Sequence, residues 1–173
     1  PRCAPSVFVR VAAGTAAERK ELLEKGEGDV LVTSYDLLKR DIELYESCCF
    51  ADMIIDEVQN IKNYNTQAAK AVKAVKSQRR FALTGTPVEN SLSELWSIFD
   101  FLMPGILSSN KQFKERYEQP IVNQQDQQAA DRLRKMIRPY VLRRTKKEVL
   151  KELPDKLEKV VYAAMEGEQK KLY

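Results

Sequence analysis

The sequence contains no histidine and only three cysteines among its 173 residues. Without histidine, serine and cysteine nucleophiles lack their usual general base, and most zinc sites lose a ligand. Two of the cysteines, Cys48 and Cys49, are adjacent, and the three show no metal-ligand spacing. Carboxylates must therefore carry any chemistry, and we expect an intracellular protein with reduced cysteines.

Long apolar runs are also absent: no stretch approaches the roughly 20 residues that cross a bilayer. With 43% hydrophobic and 31% charged residues, the composition is that of a globular protein, and we expect no membrane association. The phosphate-binding pattern G-x-x-x-x-G-K-[ST] does not occur. Since the sequence starts at Pro1 without a signal-peptide pattern, we expect the natural protein to extend beyond both ends.

Basic charge is concentrated in one stretch. Residues 132–147 hold eight Lys or Arg and no acid, whereas the whole chain has 29 basic and 25 acidic residues. Such a concentration fits contact with phosphate groups. The alternative is a solvated helical face, and the charge alone leaves both open.

Apolar segments that favour strands alternate with segments of helical periodicity. Strands are predicted over residues 7–12, 29–33, 51–55 and 80–84. Helices are predicted over 15–24, 35–44, a segment capped by Asn65 or Thr66, and 92–102, the last with a capping box of Ser91 and Glu94. The uniformly apolar strands predict an α/β fold with a parallel sheet covered on both faces.

After Gly105 the alternation stops and a mainly helical part is predicted. Its helices are expected over 113–117, 123–137 and 145–153, with breaks at Pro120, Pro139 and Pro154, before a last strand over 159–164. The chain thus divides into residues 1–105, 106–155 and 156–173.

Polar residues follow three of the strands, at the edge where ligands bind in open α/β sheets. They are Thr33-Ser34, Asp56-Glu57 and Thr84-Gly85-Thr86. Two consecutive acids suit nucleoside triphosphate hydrolysis, because one can hold hydrated magnesium while its neighbour orients the attacking water. By themselves, two consecutive acids at a strand end more often form a helix cap or a solvated turn than a catalytic site.

The surrounding sequence resembles the SWI/SNF-type ATPases, DEAQ/DEAH-box DNA translocases of helicase superfamily two. The matching segments, in order, are TSY at 33–35, DEVQNIKN at 56–63, LTGTPVEN at 83–90, ELWSIFDFL at 94–102, LRRTK at 142–146, LPDK at 153–156 and residues 169–173. Val58 departs from the usual alanine or glycine, a change that we expect to be tolerated.

The resemblance implies a partial RecA-like fold. Residues 1–105 would be the C-terminal part of the first ATPase lobe, 106–155 a helical protrusion and 156–173 the start of the connection toward lobe two. ATP and Mg²⁺ are the implied cofactors, and the phosphate loop is expected upstream of Pro1, so the 173 residues alone should not hydrolyse ATP. The implied partners are double-stranded DNA, the second RecA-like lobe and a protein target on DNA. The expected location is the nucleus in a eukaryote, or the nucleoid-associated cytoplasm in a bacterium or archaeon.

The same resemblance assigns roles to individual residues. Asp56 would hold the metal, Glu57 would activate water, and Gln59 would sense the γ-phosphate. The coupling residues that receive this signal would be Thr84, Gly85, Thr86 and Pro87. Nucleic-acid contacts are implied for Thr33, Ser34, Lys62, Asn90, Arg143, Arg144 and Lys146.

Some of these positions have a structural alternative. Gly85 would serve a turn that needs a positive φ. A structural ion pair is as plausible as DNA contact for Arg143 and Arg144. Trp96 lies on the apolar stripe of its helix and is predicted to be core rather than a base-stacking platform.

Two other functions compete with a DNA translocase: a module that binds DNA or protein without turnover, and an RNA helicase. Intact Asp56 and Glu57 favour an ATPase over the first. The segments around Trp96 and Arg143-Arg144 disfavour the second.

Overall fold

The computed structural model describes residues 4–85 and 91–144. Its strands are β1 (Val9–Val11), β2 (Val30–Val32), β3 (Cys49–Ile55) and β4 (Lys76–Ala82). Its α-helices are α1 (Ala16–Lys25), α2 (Tyr35–Arg40), α3 (Ile42–Glu46), α4 (Gln67–Ala74), α5 (Leu92–Leu102), α6 (Asn110–Phe113), α7 (Gln119–Gln124) and α8 (Gln127–Ile137). The predicted α/β alternation is therefore confirmed through α5.

Shorter turns complete the structure. There are 3₁₀ turns at Val58–Ile61 and Arg138–Tyr140 and a π turn at Lys114–Glu118. The chain divides into two compact units, Pro1–Arg134 and Lys135–Tyr173. The domain boundaries predicted at 105 and 155 stay predictions. No helix within the described ranges is both long and apolar enough to span a bilayer.

The strands pair in parallel, as predicted, but form two separate pairs in the described chain. β1 pairs with β2, and β3 pairs with β4 with Ile55 opposite Ala82. Strand geometry turns alternate residues to opposite faces, so Leu31 and Met53 pack on the core while their neighbours point away. The expectation that both faces are covered is wrong: Val9, Val11, Val30, Val32, Ile54, Phe81 and Leu83 are each at least 41% exposed.

The main core lies where β3 and β4 meet α2, α4 and α5. Its buried members include Leu38, Ile55, Val72, Ile98 and Phe101. Val58 and Ile61 belong to the same cluster and are fully buried, although they lie in the turn after β3. Apolar burial therefore anchors the turn that carries the acidic residues.

The helix predicted over 35–44 is divided at Asp41. The Asp41 carboxylate accepts two hydrogen bonds from the Arg19 guanidinium, at 2.5 and 2.9 Å, and Arg19 also donates to the Gly14 carbonyl at 2.6 Å. Both side chains are buried. These hydrogen bonds hold the pKa of Asp41 below its usual range. Asp41 has a non-helical backbone with φ −109°, and the chain turns there from α2 into α3.

Two breaks in the helical part differ from the predictions. Pro120 does not interrupt the chain, because it lies in the first turn of α7, where its missing N–H costs little, and the wider π turn precedes it. The predicted helix 123–137 is instead interrupted at Gln125, whose φ is 54°. α8 ends at Ile137, as expected from Pro139. The helix and strand predicted over 145–153 and 159–164, with the break at Pro154, lie outside the described residues.

Candidate active site

The acidic pair lies where β3 leaves the core. Ile55 is buried, whereas Asp56 and Glu57 are exposed. Glu57 has φ 53° and ψ 55°, the left-handed region that costs a non-glycine residue about 1 kcal/mol. Its N–H donates to the Asp56 carboxylate at 2.8 Å, and the next residue, Val58, is fully buried. Such conformations cluster at functional sites, where the surrounding structure holds them.

Gln59 faces Glu57 within the same turn. The Gln59 side-chain amide donates to a carboxylate oxygen of Glu57, and the Asn60 amide donates to the Glu57 carbonyl at 2.9 Å. The three predicted catalytic side chains, Asp56, Glu57 and Gln59, are thus neighbours on an exposed edge. This arrangement allows Gln59 to orient the Glu57 carboxylate.

The predicted coupling segment runs beside this turn. Leu83 N–H donates to the Ile55 carbonyl at 2.8 Å, and Val58 N–H donates to the Leu83 carbonyl at 3.2 Å. Thr84 and Gly85 therefore follow directly next to the acidic turn. Gly85 does not adopt a positive φ, so the predicted turn with a left-handed Gly85 is wrong. The hydrogen bonds that extend β4 continue to Leu83. The residue with left-handed backbone angles is Glu57, in the facing turn. Thr86 and Pro87 lie outside the described residues.

Tyr35 makes a contact with the acidic turn that the sequence does not reveal. Its hydroxyl donates a 2.7 Å hydrogen bond to the carbonyl oxygen of Asp56. Ser34, just before it, caps α2 by accepting from Leu37 N–H at 3.3 Å. The Thr33 hydroxyl is buried and faces Tyr45. Of the two predicted DNA contacts in this segment, only Ser34 is exposed.

Lys62 lies beneath the turn rather than on the surface. Its ammonium is 3.5 Å from the Glu94 carboxylate, and the two side chains are 8% and 13% exposed. The capping box predicted for Ser91 and Glu94 is therefore wrong, and the Ser91 side chain makes no capping hydrogen bond. Glu118 instead caps the first turn of α5. Its carboxylate accepts from the N–H of Ser93 at 3.2 Å and from the Ser93 hydroxyl at 2.8 Å.

The prediction that Trp96 is core is confirmed. Its side chain is 8% exposed, and its indole N–H donates to the Ser108 carbonyl at 3.1 Å. The ring also meets Tyr64 edge to face at 5.5 Å. Packing on every side leaves no face of the indole for a base.

The remaining predicted nucleic-acid contacts lie later in the sequence than the acidic turn. Arg143 and Arg144 are exposed, and within residues 4–85 and 91–144 neither forms an ion pair. Asn90 and Lys146 lie outside the described residues.

The acidic turn fits a magnesium ion of the kind that nucleotides bring. No group of three or more metal-ligating side chains occurs in the part of the chain that the structure describes. Mg²⁺ in nucleotide sites takes only one or two carboxylates, with water and phosphate oxygens completing its shell. Exposed Asp56, beside Glu57, provides such ligands.

Residues 4–173 match the SNF2-related domain family. The chain belongs to this family. It is 41% identical over 170 residues to an uncharacterized ATP-dependent helicase of Mycoplasma pneumoniae, covering 98% of this chain and 16% of that protein. The putative ATP-dependent helicase/translocase YwqA of Bacillus subtilis is 44% identical over 147 residues, covering 84% of the chain and 16% of YwqA.

Solved structures of the family have the same fold. The Sulfolobus solfataricus SWI2/SNF2 ATPase core in complex with dsDNA superimposes with a TM-score of 0.76 at 41% identity, over 88% of this chain and 32% of that one. The SWI2/SNF2 ATPase core domain from the same organism superimposes with a TM-score of 0.68 at 39% identity, over 98% of this chain and 35% of that one. These matches confirm the RecA-like fold of the SNF2-related chain, which spans about 16% of the bacterial relatives' length.

Proposed function

We propose that this chain is part of an ATP-dependent motor that moves along, or remodels, double-stranded DNA. The observation that carries the proposal is the acidic turn, where Asp56, Glu57 and Gln59 lie together at a strand end. The residues on either side of the acidic pair, Ile55 and Val58, hydrogen-bond to Leu83, which precedes Thr84 and Gly85. The relatives named as ATP-dependent helicases, and the SWI2/SNF2 core in complex with dsDNA, support the proposal.

The residues divide the chemistry between them. Asp56 would hold Mg²⁺, which supplies charge neutralisation on the phosphate oxygens when bound. Glu57 would orient and accept a proton from the attacking water, and Gln59 keeps the Glu57 carboxylate in place. A displacement of Gln59 would move the acidic turn, and the hydrogen bonds between that turn and Leu83 would pass the movement to Thr84 and Gly85.

DNA would be bound by basic and polar residues outside this turn. Ser34, Arg143 and Arg144 are exposed and are the first to test, whereas the Thr33 hydroxyl and the Lys62 ammonium are buried. Asn90 and Lys146 stay predictions, as do the second RecA-like lobe, a protein target on the DNA, and a nuclear or nucleoid-associated location.

Nucleotide hydrolysis by the full-length protein, measured alone, with duplex DNA and with RNA, tests this function. We expect duplex DNA to stimulate turnover several-fold and RNA to have little effect. Stimulation by RNA alone would identify an RNA helicase, and DNA binding without hydrolysis would identify a binding module. The 173 residues alone lack the phosphate-loop pattern and should show no micromolar ATP binding by isothermal titration.

A further inference from the structure

The peptide bond between Asp56 and Glu57 is held from both sides. On one side the Tyr35 hydroxyl donates to its carbonyl oxygen at 2.7 Å. On the other, its N–H donates to the Asp56 carboxylate at 2.8 Å. The Asp56 carboxylate is hydrogen-bonded to this peptide through the N–H of Glu57, so a rotation of the peptide plane would break or redirect that bond. The Tyr35 hydrogen bond therefore holds the peptide that orients the Asp56 carboxylate.

Tyr35 is itself fixed to the start of α2. It is the first residue of that helix, directly after the cap Ser34, and its ring packs on the edge of the main core. The Tyr35 hydroxyl is the donor of the hydrogen bond to Asp56, because a carbonyl oxygen can only accept. The phenol must follow any movement of the Thr33-Ser34 segment that precedes it.

We propose that Tyr35 is a positioning residue that couples the Thr33-Ser34 segment to the acidic turn through its hydrogen bond to Asp56. DNA that contacts this segment shifts the start of α2, and the phenol carries the shift to the Asp56–Glu57 peptide. The DNA and ATP steps of this coupling rest on the proposed function, whereas the tether itself does not.

The test compares Tyr35→Phe with Tyr45→Phe in the full-length protein. Each substitution removes one partly or fully buried phenol hydroxyl, but the Tyr45 hydroxyl faces Thr33 instead of the acidic turn. The first measurement is amide hydrogen exchange of residues 57–61, with and without duplex DNA. The second is ATP turnover, with and without the same DNA.

We expect Tyr35→Phe to raise the amide exchange rate of residues 57–61 by about three- to tenfold. This factor corresponds to the free energy of one lost hydrogen bond. DNA should slow exchange in the wild type and in Tyr45→Phe, and fail to do so in Tyr35→Phe. If the exchange rates of Tyr35→Phe equal those of the wild type both with and without DNA, the proposal is overturned.

For turnover we expect DNA-stimulated kcat to fall about three- to tenfold in Tyr35→Phe, with the KM for ATP and the Kd for DNA within about twofold of wild type. Equal losses of basal and stimulated turnover, or the same loss in Tyr45→Phe, would contradict the coupling. If the wild type hydrolyses no ATP, the proposed function fails, and the exchange measurement still decides whether Tyr35 holds the turn and transmits DNA binding.

Discussion

The Ser97 hydroxyl donates a 2.6 Å hydrogen bond to the carbonyl oxygen of Ile61, and both residues are fully buried. One residue further on, Lys62 pairs with Glu94, which lies one helical turn before Ser97 on α5. Ile61, the last residue of the 3₁₀ turn, and Lys62, the residue after it, are therefore both attached to one face of α5. The helix and the acidic turn are expected to keep their relative position.

Removing the Ser97 hydroxyl should destabilise the protein measurably. Ser97→Ala leaves the Ile61 carbonyl buried without this donor, which costs about 1–3 kcal/mol. Urea unfolding of the wild type and the variant measures the difference.

Ser47→Ala is the matched control, since the Ser47 hydroxyl also donates to a carbonyl, that of Leu44 at 2.7 Å, but at an exposed position. Water can replace that bond, so we expect a loss of about 0.5 kcal/mol or less. Equal losses in the two variants would show that the Ser97 bond contributes nothing beyond a surface one.

The features that could be predicted from the sequence are those that depend on residues close in sequence. Thr15 and Thr66 begin their helices, and Asp56 and Glu57 follow the strand β3. A partner 25 residues away is invisible to such patterns: Glu118 accepts from the N–H of Ser93 in the first turn of α5, whereas the predicted cap Ser91 makes no side-chain hydrogen bond there.

The same limit applies to the site itself. Tyr35 and Asp56 are 21 residues apart in sequence, and only the tertiary fold brings the start of α2 to the end of β3. The exposed strand faces were missed for a different reason. An apolar sequence such as that of β2 indicates that a face can be buried, but not what buries it.

The buried pair of Arg19 and Asp41 should make stability depend on pH in the acid range. Because the Arg19 hydrogen bonds lower the pKa of Asp41 from its ordinary 3.8, the folded state binds this proton less readily than the unfolded state. The stabilisation is therefore present above about pH 4 and is lost as the pH falls through the lower, folded-state pKa.

Asp41→Asn should unfold at a lower temperature than the wild type at pH 7, and its Tm should fall less between pH 5 and pH 3. Asp36→Asn is the control, because Asp36 also pairs with a basic residue, Lys39, but is 82% exposed. Solvent screens that pair, so its Tm should stay near that of the wild type at pH 7. An Asp41→Asn profile parallel to the wild type would refute the assignment.

Residues 132–147 should contribute non-specific phosphate contacts. If Arg143 and Arg144 each contact a phosphate, changing both to alanine should reduce the slope of log K against log salt for duplex DNA by about 2. The measurement is a salt titration of DNA affinity in the full-length protein.

Arg79→Ala serves as control, because Arg79 is an exposed arginine outside this stretch that pairs with Asp52 at 2.6 Å. Its slope should equal that of the wild type. An unchanged slope in the Arg143 and Arg144 double variant would argue that the basic stretch is a solvated surface.

The acidic pair offers the sharpest test of mechanism, because an amide at either position preserves the turn. An asparagine at 56 still offers an oxygen to the Glu57 N–H, and a glutamine at 57 still offers one to the Gln59 amide. A difference between the two variants therefore reports chemistry rather than folding.

Glu57→Gln removes the basic group that would accept the proton of water, so turnover should fall by about two to four decades while ATP still binds. Asp56→Asn weakens the metal site, so ATP affinity in magnesium should fall together with turnover. If the two acids only cap the following turn, both variants lose a little stability and keep near-normal turnover. ATP affinity and DNA-stimulated hydrolysis in the full-length protein separate these outcomes, and hydrolysis near the wild-type rate in Glu57→Gln would rule out its role as the base.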